Sequence, residues 1–289
     1  MKMEKNFFEY EKKCDYETEI IKEGKGFKIY NLKYPSPLQT PFYEVNTVYA
    51  KYFKNLSSDK AIIVIHGLGE ETTSRHIAKF FLKSGFSSLQ ISMPYSKKRI
   101  PKRKKVRNVD LSKVFLTGFK QGVVDIRKGI DFLEKENRKI GIMGLSLGSI
   151  ISSLVAGIDR RINSGVFILG GGDIADLFWH SKHPLVKIYK KRLEKIMTIE
   201  ELKRKWEVIE PLNYIIPERE KYLMINAKKD LFVMPKYAEK LWMALGKPEI
   251  KWLKATHLTT IFYLPYIERI SLSHFQKTLT DKPRLNLRI

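Results

Sequence analysis

The stretch KIGIMGLSLGSIISSLVA, residues 139–156, decides the fold. Its first residues form a short apolar run typical of a buried β-strand, and its last residues are small or apolar and favour a helix. Between them, Gly144, Ser146 and Gly148 form a G-x-S-x-G pattern. A serine on such a sharp strand-to-helix turn projects its hydroxyl above the sheet, beside the free N–H groups that begin the helix. The pattern predicts that Ser146 is a nucleophile, and the alternative is an ordinary turn flanked by glycines.

On both sides of this stretch, short β-rich runs alternate with segments of helical periodicity. This alternation predicts an α/β fold with a mostly parallel eight-stranded sheet and helices on both faces. The first two runs alternate like antiparallel edge strands, and prolines lie between them. No repeat or low-complexity linker divides the chain, so we expect a single domain over residues 1–289. The eight runs are Gly26–Leu32, Thr47–Phe53, Ala61–Ile65, Ser88–Met93, Ile140–Met143, Gly165–Leu169, Tyr222–Asn226 and Ile250–Leu253.

The interval between the sixth and seventh runs is too long for an ordinary loop. Much of it, Leu185–Ile209, has the apolar spacing of a helix. We therefore expect residues 173–219 to form a helical cap insertion over the edge of the sheet where its parallel strands end. In open α/β sheets, ligands bind at that edge.

The chain resembles the α/β-hydrolase superfamily, and most of all its serine esterase and dienelactone-hydrolase-like branch. The resemblance rests on the serine turn, on the order of the runs and on His66-Gly-Leu-Gly69, which is similar to the family's oxyanion loop and follows the Ala61–Ile65 run. It extends from about Thr47 to Leu279 and implies that the backbone N–H groups of Leu68 and Leu147 form an oxyanion hole. Dienelactone hydrolases proper use a cysteine nucleophile, so their chemistry does not carry over to a chain with Ser146.

The resemblance also implies a chain order of nucleophile, acid and histidine. Among the histidines that follow Ser146, His257 comes directly after the last predicted strand, where a base has to lie to reach the serine. His180 and His183 precede the expected acid, and His274 lies within a C-terminal amphipathic helix. We therefore predict that His257 is the base. His66 precedes the nucleophile, and the family implies that it supports the oxyanion loop.

The predicted acid is Asp230, which ends the run Tyr222-Leu-Met-Ile-Asn-Ala-Lys-Lys-Asp230 and precedes a helix that begins at Pro235. A buried carboxylate there would hold the histidine tautomer and stabilise the imidazolium. The competitor is Asp173, also at the end of a predicted strand. We interpret Asp173 instead as the N-cap of the first cap helix.

The chain carries a formal net charge of +23, and most of its lysines are scattered along amphipathic segments. We expect general surface charge and no nucleic-acid partner. One segment, Lys97–Arg107, concentrates basic residues after a predicted strand. It is either a solvated charged loop or a binding element for an anionic substrate.

No apolar run approaches the roughly 18 residues of a membrane-spanning helix, and residues 1–13 lack the apolar stretch of a secretory signal. The single cysteine, Cys14, excludes an internal disulfide. We expect a cytoplasmic protein with no transmembrane segment.

Together these features predict a serine hydrolase of the carboxylesterase kind that cleaves small-molecule esters through an acyl-enzyme, with no metal or organic cofactor. A peptidase, a thioesterase or an acyltransferase would use the same three residues. A basic binding protein on a hydrolase scaffold is the alternative outside enzymes.

Overall fold

The computed structural model describes residues 7–13, 15–69, 71–101 and 111–279, and it contains nine strands and eight α-helices within these ranges. The strands are β1 (Glu17–Gly24), β2 (Phe27–Pro35), β3 (Thr47–Asn55), β4 (Lys60–Ile65), β5 (Ser87–Ile91), β6 (Lys139–Leu145), β7 (Ile162–Ile168), β8 (Tyr222–Ala227) and β9 (Glu249–Leu253). The helices are α1 (Thr72–Lys83), α2 (Leu111–Leu133), α3 (Leu147–Ile158), α4 (Ile174–His180), α5 (Pro184–Leu193), α6 (Ile199–Trp206), α7 (Pro235–Ala244) and α8 (Leu264–Thr278).

The strands form one sheet in the order β1-β2-β3-β5-β4-β6-β7-β8-β9. Strands β4 to β9 run parallel, and β1, β2 and β3 add an antiparallel edge. The predicted mostly parallel sheet is confirmed, with one strand more than the eight expected. The additional strand is β1, whose side chains are exposed on both faces. A strand without a buried face has no alternation of apolar and polar residues, so its sequence pattern does not predict a strand.

The middle of the sheet is covered on both faces, and β4 shows why its sequence is apolar without interruption. Ala61, Ile63 and Ile65 pack into the cluster that contains α2, α3 and α7. The alternate side chains, Ile62 and Val64, pack on the other face against α1 and α8. A parallel strand buried on both faces needs apolar residues at every position.

The segment between β7 and β8 contains three short helices, α4, α5 and α6. The sequence suggested one continuous helix over Leu185–Ile209, but the structure has two separate helices there, α5 and α6. Thr198 begins α6 with a capping box, in which its side chain accepts from the Glu201 N–H and the Glu201 carboxylate accepts from the Thr198 N–H. Such a cap starts a new helix.

Within the described ranges, no helix has both the length and the apolar composition needed to cross a bilayer.

Candidate active site

Ser146 lies between β6 and α3, at the position where the strand order reverses around β4 and β6. Its backbone has φ 54° and ψ −120°, a conformation that costs free energy in a residue with a side chain. The Ser146 N–H donates to the Ile168 carbonyl oxygen at 2.8 Å, which ties the turn to β7. The turn therefore holds the serine in a strained geometry at the carboxyl edge of the sheet.

The glycines on either side of the serine are needed for close packing. A Cβ on Gly144 would lie 2.3 Å from the Gly148 carbonyl oxygen, and a Cβ on Gly148 would lie 2.3 Å from the His66 carbonyl oxygen. Both distances are far below van der Waals contact with rigid backbone. The G-x-S-x-G pattern thus allows α3 to approach both β6 and the loop after β4.

The two predicted oxyanion residues come from different segments that meet at Ser146. Leu147 is the first residue of α3, so its N–H has no acceptor within the helix. Leu68 lies in the loop after β4, next to Gly67, where an added Cβ would be 3.2 Å from the Ser146 Cβ. The loop therefore passes close against the serine turn.

His66 is buried, and both of its ring nitrogens are engaged. Nδ1 is 2.6 Å from the Gly67 carbonyl oxygen, and Nε2 accepts from the Met93 N–H at 2.9 Å. Nδ1 must carry the proton because Nε2 is an acceptor. The ring links the loop after β4 to the loop after β5, a structural position of the kind that the resemblance implied.

Asp230 and His257 lie together at the ends of β8 and β9. The carboxylate is almost fully buried, and its Oδ2 is 2.7 Å from His257 Nδ1. Its Oδ1 accepts from the N–H groups of Phe232 and Val233 at 2.8 and 2.9 Å. The carboxylate is therefore fixed in place, and it fixes the orientation of the imidazole.

Backbone hydrogen bonds join the two loops that carry this pair. The Lys228 N–H donates to the Leu253 carbonyl oxygen at 2.9 Å, and the Lys229 N–H donates to the Ala255 carbonyl oxygen at 3.0 Å. The parallel ladder of β8 and β9 thus continues into the loops. The distance between Asp230 and His257 is set by this ladder.

Ser146 and His257 both line a cavity of about 330 Å³, hereafter the catalytic cavity. His257 Nε2 has no hydrogen-bond partner among the residues that the structure describes, and it is not hydrogen-bonded to Ser146 Oγ. Such contacts are often long in an unliganded site and shorten when a substrate binds. The structure brings all three predicted residues to one edge of the sheet.

Asp173 occupies the N-cap position of α4, but its side chain makes no cap hydrogen bond. Its carboxylate instead forms an ion pair with Lys240. The carboxylate of Glu210 accepts from the N–H groups of Asp173 and Ile174, at 3.0 and 2.7 Å. The interpretation of the Asp173 side chain as the cap is therefore wrong, because its carboxylate pairs with Lys240, and the helix start is capped instead by a residue 37 positions further along the chain.

His183 and Phe232 also line the catalytic cavity, and sequence reasoning had not placed either of them there. The Phe232 ring lies 4.7 Å from the His183 ring and 4.9 Å from the His257 ring, measured between centroids. His183 caps α5, since its Nδ1 accepts from the Leu185 N–H. Burial, and then the charge of His257, lowers the pKa of His183. The one feature of the sequence that marks His183 is the Pro184 that follows it, and a proline there indicates the start of a helix rather than a functional site.

The other two histidines that follow Ser146 are engaged elsewhere. His180 is exposed, and its Nδ1 lies 2.9 Å from the Asp176 carbonyl oxygen. His274 Nε2 lies 3.3 Å from the Lys221 carbonyl oxygen, where β8 begins. That position is at the opposite end of the strand from Asp230.

The described part of the basic segment contains an ion pair inside the core. Arg99 is fully buried, donates to the carbonyl oxygens of Val45 and Ser92, and lies 2.6 Å from Asp125 Oδ2. Arg99 is thus not a solvated charge. Lys97 and Lys98 are exposed, and residues 102–110 lie outside the described residues.

No protein-family model matches the chain. Two uncharacterised proteins of Mycobacterium tuberculosis, from strains CDC 1551 / Oshkosh and H37Rv, are each 26% identical over 171 residues. The match includes 58% of this chain and 40% of each relative, so it spans less than half of their length.

Solved structures match far more of the chain. An acetyl xylan esterase from Paenibacillus sp. R4 has a TM-score of 0.68 at 16% identity, over 88% of both chains. The Pyrococcus furiosus esterase Pf2001 has a TM-score of 0.61 at 17% identity, over 88% of this chain and 94% of that one. This chain has the α/β-hydrolase fold. An acylaminoacyl peptidase of Pyrococcus horikoshii shares the α/β-hydrolase fold with it at 14% identity, with a TM-score of 0.63 over 94% of this chain and 43% of that chain.

Proposed function

We propose that this protein is a serine hydrolase that cleaves carboxylic esters, with Ser146 as nucleophile, His257 as general base and Asp230 as the group that orients the base. The observation that carries the proposal is the 2.7 Å contact between Asp230 and His257 at the rim of a cavity that also contains the strained Ser146. A nucleophile, a base and a group that orients the base are the minimum set for acyl transfer.

The proposed reaction has two steps. His257 Nε2 takes the Ser146 proton while the hydroxyl oxygen attacks the ester carbonyl, and the N–H groups of Leu68 and Leu147 hold the developing oxyanion. His257 then gives the proton to the departing alcohol, which leaves an acyl group on Ser146. Water, activated by the same imidazole, releases the acid and restores the serine.

Each residue has a geometric reason for its role. The Asp230 carboxylate accepts from His257 Nδ1–H, so the neutral ring presents an unprotonated Nε2 to its proton donor. The position of Leu147 at the start of α3 leaves its N–H available. Losing one oxyanion donor typically lowers the rate by two to three orders of magnitude.

A fluorophosphonate probe tests the assignment of the nucleophile. We expect it to label Ser146 alone, with the site identified by peptide mapping, and Ser146→Ala to lose both labelling and ester hydrolysis. The melting temperature of Ser146→Ala should equal or exceed that of the wild type, because an active-site residue held in a strained conformation is often replaced at no cost to stability. Label on another serine, or no label on the folded protein, would contradict the proposal.

A peptidase is the second candidate, because one of the structural neighbours is an acylaminoacyl peptidase. A matched pair of substrates, an aryl ester and the corresponding aryl amide of the same acyl group, separates the two activities. We expect a kcat/KM for the ester at least about a thousandfold above that for the amide. Equal or higher amide turnover would assign the site to peptides.

A further inference from the structure

Two cavities that differ in composition lie beside the turn at Ser146. The first is the catalytic cavity, on the side of His257. The second has a volume of about 300 Å³ and extends under α5 and α6, and we call it the aromatic cavity. Leu68 lines both cavities, and Leu147 lines the aromatic one. The two proposed oxyanion residues therefore stand between the serine and the aromatic cavity.

The proposed chemistry gives each cavity a different half of an ester. His257 must reach the alcohol oxygen to protonate it, so the alcohol part lies on the His257 side, in the catalytic cavity. The carbonyl oxygen points to the N–H groups of Leu68 and Leu147. The acyl substituent then extends past these residues, into the aromatic cavity.

The walls of the aromatic cavity determine what kind of acyl group fits. The Phe115 and Trp206 rings stack with centroids 4.2 Å apart, and Phe178 meets Trp206 edge-on at 5.1 Å. Among the described lining residues the one with a charged side chain is Arg192, and it is exposed to solvent. Phe178 of α4 and Tyr189 of α5 also belong to this wall. Such a lining favours a group without polar atoms.

The volume of the cavity determines the size of the group. A water-sized group occupies roughly 30 Å³ in a liquid, so about 300 Å³ has room for on the order of ten such groups. An acetyl group would leave most of this apolar space without contacts, and the lost dispersion energy disfavours such a complex.

We propose that the aromatic cavity binds an apolar acyl group of about eight carbon atoms, straight-chain or aromatic. This assignment deepens the proposed esterase function and rests on it. It makes two claims: the enzyme prefers a large apolar acyl group to acetyl, and the residues of the aromatic cavity cause this preference.

The first experiment measures kcat/KM for p-nitrophenyl esters from acetate to dodecanoate, so that the alcohol stays constant. Each methylene moved from water into an apolar site adds up to about fourfold. We expect octanoate to exceed acetate by at least about a hundredfold, with a decline at dodecanoate. A maximum at acetate would overturn the proposal.

The second experiment narrows the cavity from α2, where Val114 lines it. Val114→Trp should lower kcat/KM for octanoate about tenfold or more and change that for acetate less than about threefold. Lys113→Trp is the matched control, since Lys113 lies on the same helix, is exposed and does not line the cavity. An unchanged chain-length profile in Val114→Trp would place the acyl group elsewhere.

Tyr189→Ala enlarges the aromatic cavity instead of narrowing it. It keeps the proposal testable if Val114→Trp does not fold. Tyr189 lies half-exposed on α5, so its truncation opens the cavity without removing a core residue. We expect the chain-length optimum to move from octanoate towards dodecanoate. An optimum that stays at octanoate in this folded variant would contradict the location of the site.

Calorimetry on Ser146→Ala separates the failure of the cavity assignment from the failure of the esterase proposal. In this variant p-nitrophenyl octanoate can bind without reaction. We expect it to bind at least about tenfold more tightly than the acetate, and to lose that advantage with Val114→Trp. Tight octanoate binding to Ser146→Ala, combined with a wild-type protein that shows neither turnover nor fluorophosphonate labelling, would keep the cavity and reject the reaction. Equal binding of both esters would reject the cavity.

Discussion

Two pairs of loops meet at the carboxyl edge of the sheet, and each pair contains a histidine. In the loops after β4 and β5, His66 is buried and both ring nitrogens form hydrogen bonds, to Gly67 and Met93. In the loops after β8 and β9, His257 is bonded through Nδ1 to Asp230, and its Nε2 has no partner among the described residues. Both ring nitrogens of His66 hold backbone in place, whereas one ring nitrogen of His257 has no partner among the described residues.

The comparison shows that a strand-end histidine can be assigned by counting its occupied nitrogens. A general base needs an unprotonated nitrogen that can receive a proton, and a ring whose Nε2 already accepts from a backbone N–H has none to spare. The loops after β4 and β5 are held further by the buried Arg99, which donates to Ser92 and pairs with Asp125. We therefore expect changes at His66 and Arg99 to lower stability, and changes at His257 and Asp230 to lower turnover.

The largest effect should come from the two histidines themselves. Under the proposed mechanism, His257→Gln should lower kcat by about four orders of magnitude or more, because the base is lost. His66→Gln should instead destabilise the fold by about 1–3 kcal/mol, since the buried Met93 N–H loses a well-placed acceptor. Ester kinetics and thermal unfolding on both variants make the test. If folded His66→Gln lost turnover as completely as His257→Gln, the two histidines would not have the different roles assigned to them.

Asp230→Asn should have the next largest effect. The amide removes the charge that stabilises the imidazolium and disturbs the tautomer, so we expect kcat to fall by roughly three to four orders of magnitude. The Oδ1 bonds to the N–H groups of Phe232 and Val233 remain available, which keeps the loop in place. Circular dichroism should therefore match the wild type. A loss below about tenfold in the folded protein would remove Asp230 from the mechanism.

Arg99→Met tests the opposite pair of loops. It leaves the Asp125 carboxylate buried without its guanidinium, and breaking a buried pair in this way typically costs about 3–5 kcal/mol. We expect a clear loss in the free energy of unfolding and less than about a tenfold change in kcat for the folded fraction. The double variant Arg99→Met/Asp125→Leu is the control and should recover much of the stability. Full stability of the single variant would show that the pair does not support these loops.

The pH dependence separates catalysis from folding. The proposed base must be neutral to accept the Ser146 proton, because an imidazolium cannot act as base. Burial lowers the pKa of His274, so the unfolded chain takes up this proton at a higher pH than the folded protein does. The stability from His274 is therefore present above about pH 6.5 and lost as the pH falls. Melting curves of the wild type and of His274→Gln across this pH range show how much of any activity lost at low pH is due to unfolding.

The smallest effect is expected for Asp173→Asn, which sharpens the assignment of the acid. Asp173 pairs with Lys240 on a partly exposed surface, and such pairs contribute little. We expect kcat to change less than about threefold. A loss comparable to that of Asp230→Asn would transfer the role of acid to Asp173.

The amino-acid sequence by itself determined the central sheet and the order of the chemical groups along it. The runs around Ile62 and Ile142 are apolar because parallel strands are buried on both faces, and this requirement is local enough to detect in a few residues. The turn at Ser146 is equally local, since Gly144 and Gly148 are needed within its own few residues. His257 and Asp230 were predicted because each follows a recognisable strand, in the chain order that the resemblance to α/β-hydrolases implies.

Only the tertiary structure decided the features that depend on distant partners. Strand β1 has no buried face, and it forms because the edge of β2 offers backbone hydrogen bonds to it. Arg99 is buried because Asp125 and two carbonyl oxygens meet it in the core, and Glu210 caps α4 across 37 residues of chain. The aromatic cavity joins Phe115 of α2 to Trp206 of α6. Packing brings such residues together from different parts of the chain, and the sequence pattern of a single segment cannot predict these contacts.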